Sequence, residues 1–425
     1  MSITSSFYTG LSGLDTHATA MQVIGDNIAN VHTTGFKNGS AHFEDVLGMS
    51  LTGLAGNNQT GAGAGVASVD ANFIQGSLET TGVGTDLAIN GQGFFVLGAP
   101  DTDEMFYSRA GHFFFDEEGY YVNTDGYRVN GYLYDATGTD LIENPVDIQV
   151  EQNSMIPPQV TGQIDMVLNL DASEAVTSAF SITDPGGTSC FSTAVTVYDT
   201  LGDSHQIQVY FTKTSAQQWA WNAAIDGGDL TSGATGALQN VGSGVCLFST
   251  STGGLTSGAT VSFNNSMDLV FLNGSTILED AIEIDFTETT QYGSASAIQV
   301  LNQDGYAAGN LSGVGIDPEG NLVASYTNGL RKKIARMALA DFACLNGLAR
   351  KGDTLYQGTT SSGDALMNKP GVGGMGTIAS SMLEESNVDL ASEFIRMILI
   401  QRGYQANTKV ITTTDEMLAQ LMNIR

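Results

Sequence analysis

Five histidines (His17, His32, His42, His112, His205) and three cysteines (Cys190, Cys246, Cys344) are the residues best suited to hold a metal or act as base or nucleophile. Their spacing supports neither role. No HExxH pair puts two imidazoles on one helix face, and no CxxC brings two thiolates to one ion. Three thiols allow at most one internal disulfide, so stability is not expected to rest on a disulfide framework. Gly371, Gly373 and Gly376 match GxGxxG, but Asn368, Lys369 and Pro370 precede them where a dinucleotide site needs a strand. Asn302 to Gly305 lacks the first ligand of a calcium loop, and no GxSxG elbow occurs. The expectation is a protein that is not an enzyme, with no cofactor and no metal.

His32 belongs to a stretch, NIANVHTTGFK from Asn27 to Lys37, that reads better as a helix stop than as a ligand loop. Asn27 and Asn30 can accept left-handed geometry and bond exposed backbone groups at a helix end. Gly35 permits positive φ, and Phe36 can dock the departing chain. Before it, Phe7, Leu11, Leu14, Ala18, Met21, Gly25 and Ile28 recur at alternating spacings of 4 and 3, a heptad seam. Gly10, Gly13 and Gly25 each cost roughly 1 kcal/mol in a helix interior, so this helix needs a partner.

The far end repeats the pattern. Ser386, Asn387, Val388 and Asp389 read as a capping box, opening a helix that runs to about Asn423 without a proline. Its seam is Leu390, Phe394, Met397, Gln401, Tyr404, Thr408, Ile411, Asp415, Leu418 and Met422, with a second apolar face at Val388, Ala391, Ile395, Ile398 and Leu399. One partner helix cannot cover both faces. The terminal helices pair within the chain, or associate with other copies, or do both; the pair alone leaves apolar surface in water.

Between them lie short strands. MFYSRAGHFFFDEEGYYVNTDGYRVNGYLY, Met105 to Tyr134, is punctuated by turn signals at Asp116 to Gly119 and Asp125-Gly126. A similar meander returns at Gly315 to Leu330, with turns at Asp317 to Gly320 and Asn328-Gly329. Two such meanders suggest one β-domain built from both sides of an insertion. The insertion is itself strand-like: Val195 to Thr200 and Gln206 to Thr212 flank Leu201 to Ser204, and Trp219 and Trp221 alternate around Ala220.

The fold expected is α+β: coiled-coil-like terminal helices (1–30 and 386–425), then two mainly antiparallel β-domains, the second inserted into the first. The inner, discontinuous domain takes 71–150 and 301–364 and the outer one 151–300. Glycine-dense, uncharged segments, Gly53 to Ala67 and Gly371 to Gly376, mark flexible connectors within 31–70 and 365–385.

The 425 residues suffice for two or three cored domains. A net charge of -30, from 45 acidic and 15 basic residues, opposes binding to nucleic-acid phosphate or an anionic membrane. The densest apolar run, Phe394 to Ile400, is too short to span a bilayer, and the start lacks a basic region followed by an apolar one. No membrane insertion is expected, and any export would use a route without a cleaved leader.

NIANVHTTGFK resembles the N-terminal signature of the flagellar axial proteins, the family of rod, hook and hook-associated subunits. SNVDLASEFIRMILIQRGYQANTKVITTTDEMLAQL resembles the matching C-terminal signature. The family signature falls on Asn27, Ile28, Ala29, Asn30, Thr34, Gly35, Phe36 and Lys37, and on Gln401, Arg402, Tyr404, Gln405 and Asn407. Asp86 to Leu97, Tyr107 to Tyr132 and Gln303 to Leu330 agree as well, and Thr193 to Lys213 is similar to the outer domain of the family's hook branch.

The resemblance implies a subunit of a short, curved, hollow tube that works as a universal joint between rod and filament. It implies assembly with copies of itself, and contact with the distal rod protein, the hook cap and hook-associated junction proteins. It also implies unfolded passage through the flagellar type III export apparatus and a place outside the cell. The helices would then pack as an inner tube through Phe7, Leu11, Leu14, Ala18, Met21, Ile28, Leu390, Phe394, Met397, Tyr404, Ile411 and Leu418. The first β-domain would form a middle layer and the second an outer one. Another axial subunit, at the distal rod or the hook junction, is the nearest alternative, and a secreted β-rich adhesin a remoter one.

Overall fold

The computed structural model describes residues 3–423 apart from 47–49, 54–55, 60, 101, 103, 136–140, 152–153, 263–268 and 278–281. Residues 1–2, 47–49, 54–55, 60 and 424–425 of the expected terminal and connector segments therefore lie outside the described residues. The chain divides into two compact units. One comprises Met1–Gln152, Gly313–Ser325 and Arg331–Arg425; the other comprises Asn153–Ser312 and Tyr326–Leu330.

The first unit contains both long helices, Ile3–Ala29 and Leu390–Asn423. They pair antiparallel: Gly10 faces Ile411, Gly13 faces Asn407 and His17 faces Gly403. A Cβ on Gly13 would lie 2.6 Å from Asn407 Nδ2, and one on Gly403 would lie 2.7 Å from His17 Nε2. These glycines weaken each helix alone but let the two backbones approach closely, so tertiary contact offsets a local cost.

The C-terminal helix begins three residues later than the expected capping box. Ser386 to Val388 stay outside the helix, where Asn387 bonds across the chain. Its Oδ1 accepts from Asn38 N at 2.8 Å, and its Nδ2 donates to Asn72 O at 2.8 Å and Ile74 O at 3.0 Å. Asp389 is the cap instead. Its carboxylate accepts from Ala391 N at 3.0 Å and Ser392 Oγ at 2.7 Å. The Ser392 hydroxyl, then the backbone N–H of Ala391, holds this carboxyl below the usual range.

The strand hairpin Gly39–Asp45 with Ala64–Ala71 lies against the N-terminal helix. Thr16 Oγ1 donates to Ala64 O at 3.2 Å, and His17 meets Phe43 edge-on with ring centroids 5.8 Å apart. The β-body centres on Phe94–Gly98, which pairs with Met105–Ser108, Arg128–Leu133 and Leu339–Asp341. Phe94, Val96, Tyr107, Tyr132, Phe342 and Tyr356 fill one side of it. Turns fall where glycine allows them: Gly119 (φ +84) joins Phe113–Phe115 to Tyr121–Asn123, and Gly126 (φ +86) follows.

The segments expected as flexible connectors carry strands. Leu366–Asn368 pairs with Leu339–Asp341, Thr377–Ser380 with Leu87–Asn90, and Met382–Glu384 with Leu78–Thr80. Gly371 to Gly376 is a closed turn, with Gly371 N donating to Gly376 O at 3.0 Å and Gly376 N to Gln92 O at 2.7 Å. Glycine here serves tight turns, and the backbone groups beside it find ladder partners, which a free linker would leave to water.

The second unit layers two sheets. One is a meander of Phe191–Tyr198, Ser204–Ser215, Gln218–Asp226, Leu238–Phe248 and Leu255–Ser257 in chain order. The other is built on Gln163–Asp171, which runs parallel to Glu283–Asp285 and Thr290–Tyr292 and antiparallel to Ala297–Gln303. Ile164, Met166, Leu168 and Leu170 meet Val209, Phe211, Trp219, Trp221 and Phe286 in its core. This unit extends past the expected end at residue 300 because Asn310 O accepts from Thr327 N at 2.9 Å and Ala307 O from Asn328 Nδ2 at 2.9 Å.

Candidate functional site

The Asn27 to Lys37 stretch is anchored by side chains rather than closed by left-handed asparagines; among the described residues neither Asn27 nor Asn30 has positive φ. Asn27 is buried and clasps Gly39 in the manner of a strand neighbour. Its Nδ2 donates to Gly39 O and its Oδ1 accepts from Gly39 N, both at 2.8 Å. Asn30 Nδ2 donates to Asp26 O at 2.9 Å, satisfying a carbonyl of the last turn. Gly35 does turn left-handed (φ +68), and an added Cβ would lie 2.4 Å from Ala110 N. Phe36 is half-buried, with the Arg350 guanidinium 5.9 Å from its ring.

Lys37 is fully buried. Its Nζ donates to Glu384 Oε1 at 2.5 Å and to Ile74 O at 2.9 Å. Glu384, equally buried, also accepts from Gly76 N at 2.8 Å and, through Oε2, from Arg109 Nη1 at 3.3 Å. Its backbone oxygen accepts from Gly35 N at 2.7 Å. One carboxylate thus joins the N-terminal signature, the strand leading to the C-terminal helix and the β-body. Burial lowers the Lys37 amine below its ordinary pKa, although the Glu384 carboxylate acts in the opposite direction. Arg109 is lowered by burial too, again opposed by Glu384. Neither sequence signature announced Glu384 or Arg109. The available signal was Lys37 itself, a cation within an apolar and amide-rich run in a chain with only 15 basic residues.

The helix seams expected to pack together face outward in part. The N-terminal helix buries Gly10, Thr16, Ala20, Ile24 and Asn27. Phe7 (36%), Leu11 (48%) and Ala18 stay exposed, while Leu14, Met21 and Ile28 are half-buried. At about 100° per residue, the buried face is turned roughly a third of a circle from the apolar seam. On the C-terminal helix Met397, Ile411 and Leu418 turn inward with Glu393, Ile400, Gly403, Asn407 and Thr414. Leu390 (37%), Phe394 (51%) and Tyr404 (40%) are exposed, as are Ile395, Ile398 and Leu399. Of the signature positions there, Asn407 meets Gly13, whereas Gln401, Arg402 and Gln405 are exposed. Ala29 is exposed and Thr34 half-buried. Small and polar residues thus share the contact within the chain with Ile24, Ile400 and Ile411, while Phe7, Leu11, Phe394 and Leu399 are left in water.

Two of the histidines are occupied structurally. His112 Nδ1 bonds Asp86 Oδ1 at 2.8 Å, and His205 Nε2 bonds Asp199 Oδ2 at 3.1 Å while stacking on Phe271. Among the described residues, no three His, Cys, Asp or Glu side chains converge to hold a metal, and no helix is long and apolar enough to cross a membrane. Cys190, Cys246 and Cys344 are free thiols.

Four family models match successive parts of the chain: flagella basal body rod protein at 7–37, flagellar hook protein FlgE/F/G D1 domain at 88–165, flagellar basal body protein FlaE D2 domain at 169–306, and flagellar basal body rod FlgEFG protein C-terminal at 379–424. The flagellar hook protein FlgE of Salmonella typhimurium is 35% identical over 427 residues, covering 99% of this chain and 100% of that one. The chain belongs to the flagellar hook protein family. FlgE of Treponema pallidum is 33% identical over 461 residues, covering 99% of both chains. The crystal structure of Helicobacter pylori flagellar hook protein FlgE2 shares the fold with a TM-score of 0.53 at 14% identity, over 72% of this chain and 100% of that one.

As a hook family member, the chain is a structural component of the flagellum and not an enzyme. It polymerises into the hook and associates with other flagellar components.

Proposed function

We propose that the outward apolar faces of the two terminal helices are the surfaces through which copies join, head to tail, into a curved hollow tube that carries torque from rod to filament. The observation behind this reading is the seam Phe7, Leu11, Leu14, Ala18, Met21 and Ile28, accompanied by Leu390, Phe394 and Tyr404, which the folded chain leaves largely uncovered. Soluble single chains avoid contiguous apolar surface of this kind. Unlike patches that meet without closing a ring generate a helical polymer. The Lys37–Glu384–Arg109 cluster gives the helix roots a fixed orientation on the β-body, as a torque-bearing joint requires. At the ends of the polymer the same helices would meet the distal rod protein, the hook cap and hook-associated junction proteins. Three free thiols suit export of an unfolded chain through the type III apparatus.

The test is Phe394→Asp. Burial of a phenylalanine contributes about 1.5–3 kcal/mol, and an unpaired carboxylate at the same place adds a desolvation cost. The variant should keep the circular dichroism of the parent monomer and fail to form sedimentable polymer at concentrations where the parent does. Normal polymer yield would overturn the reading.

A further inference from the structure

Glu393 lies in the first turn of the C-terminal helix and is 2% exposed, yet only one of its oxygens is in use. Oε1 accepts from Arg396 Nη1 at 3.2 Å, while Oε2 is buried without a hydrogen-bond partner. Glu393 and Arg396 border a cavity of 180 Å³ whose other walls include Val23, Ile24, Phe43 and Leu399. Clefts for small molecules usually measure about 300–1,000 Å³, so this one suits a single side chain. Apolar walls beside a buried carboxylate with one unpaired oxygen match a lysine, whose methylene stem lies on the walls and whose ammonium pairs with the carboxylate. An arginine fork matches less well, since it takes two oxygens and Arg396 already holds one.

We propose that this cavity receives Lys409 from a second copy of the chain, setting the register between neighbouring terminal helices. Lys409 is the sole lysine in either terminal helix. It is exposed, and among the described residues it takes part in no ion pair. Its own Glu393 is out of reach, about 24 Å away along one helix at ~1.5 Å per residue. Leu399 in the cavity wall and its neighbours Ile395 and Ile398 belong to the uncovered apolar face, so a copy seated there brings its cations to the cavity mouth. The pairing rests on the reading that copies join through these helices. It adds what apolar burial lacks, a single charged contact that penalises a slipped register.

Zero-length carbodiimide coupling of polymer grown from the full-length chain tests it, since this chemistry joins a carboxylate to an amine in contact with it. The expected product is an isopeptide between Glu393 and Lys409, present in polymer and absent from monomer at equal mass. Glu393→Gln and Lys409→Gln should each raise the critical concentration at least about tenfold, and the double variant little more. Lys409 is exposed in the monomer, so its variant tests the pairing even where Glu393→Gln perturbs folding. Polymer without that cross-link, coupling of Glu393 to a lysine outside the C-terminal helix, or additive effects of the two substitutions would overturn the pairing alone. Absence of polymer from the parent chain would overturn the assembly reading beneath it.

Discussion

Replacing Glu384 by glutamine keeps the shape of the central side chain and removes its charge. Two buried cations then face each other without the carboxylate that hydrogen-bonds both, for Lys37 is 0% and the Arg109 side chain 5% exposed. The amide also turns an NH2 group toward donors, so one of the bonds from Lys37, Gly76 or Arg109 is lost. Breaking a buried ion pair by removing one partner costs about 3–5 kcal/mol. At roughly 2–4 °C per kcal/mol for a unit of some 150–250 residues, the first unit should melt about 6–20 °C lower. Calorimetry that separates the two units should show that transition moving and the other fixed. Adding Lys37→Met removes one stranded cation and should recover part of the loss, a non-additive pair. A shift under about 2 °C would refute the claim that this carboxylate holds the two chain ends to the β-body.

Three other outcomes follow from the same structure. Asp199 is fully buried, and burial alone would raise its pKa, but donors from Asn273, Ser275, His205 and Asp203 N outweigh this and hold the carboxyl well below the usual range. A depressed folded pKa stabilises above the unfolded value of about 3.9 and loses that contribution as pH falls toward the folded one. The second unit should therefore weaken progressively below about pH 4, and Asp199→Asn should flatten that limb in acid melts. The Cys246 thiol is pushed up to about 12 by burial, so iodoacetamide at neutral pH should modify exposed Cys344 and spare Cys246, as peptide mass mapping would record. Gly35→Ala should destabilise by at least about 1–3 kcal/mol in denaturant melts, because Gly35 has φ +68 and its Cβ would strike the Ala110 backbone.

Local chemistry made much of this fold legible. The terminal helices, the Asp116 to Gly119 and Asp125-Gly126 turns, and the alternation of Trp219 with Trp221 all follow from patterns within a few residues of one another. The periodicity of Phe7 to Ile28 specified a helix with an apolar face; it did not specify which face the chain itself would bury. Contact with the C-terminal helix goes through Gly10, Gly13 and Asn407, whose fitness lies in small size and close approach rather than hydrophobicity. Lys37 and Glu384 are 347 positions apart, so no local pattern links them. The late start of the C-terminal helix has the same origin, because Asn387 is held outside the helix by Asn38, Asn72 and Ile74 from the other end of the chain.

The most direct test of assembly through the outward helix faces is to place one cysteine on each helix seam, Leu11→Cys and Phe394→Cys, and compare maleimide labelling in monomer and polymer by peptide mass mapping, which scores the native Cys190, Cys246 and Cys344 separately. Both positions are about half exposed in the isolated chain, at 48% and 51%. The account predicts ready labelling of monomers and strong protection of both positions in the polymer. Equal labelling in monomer and polymer would contradict it.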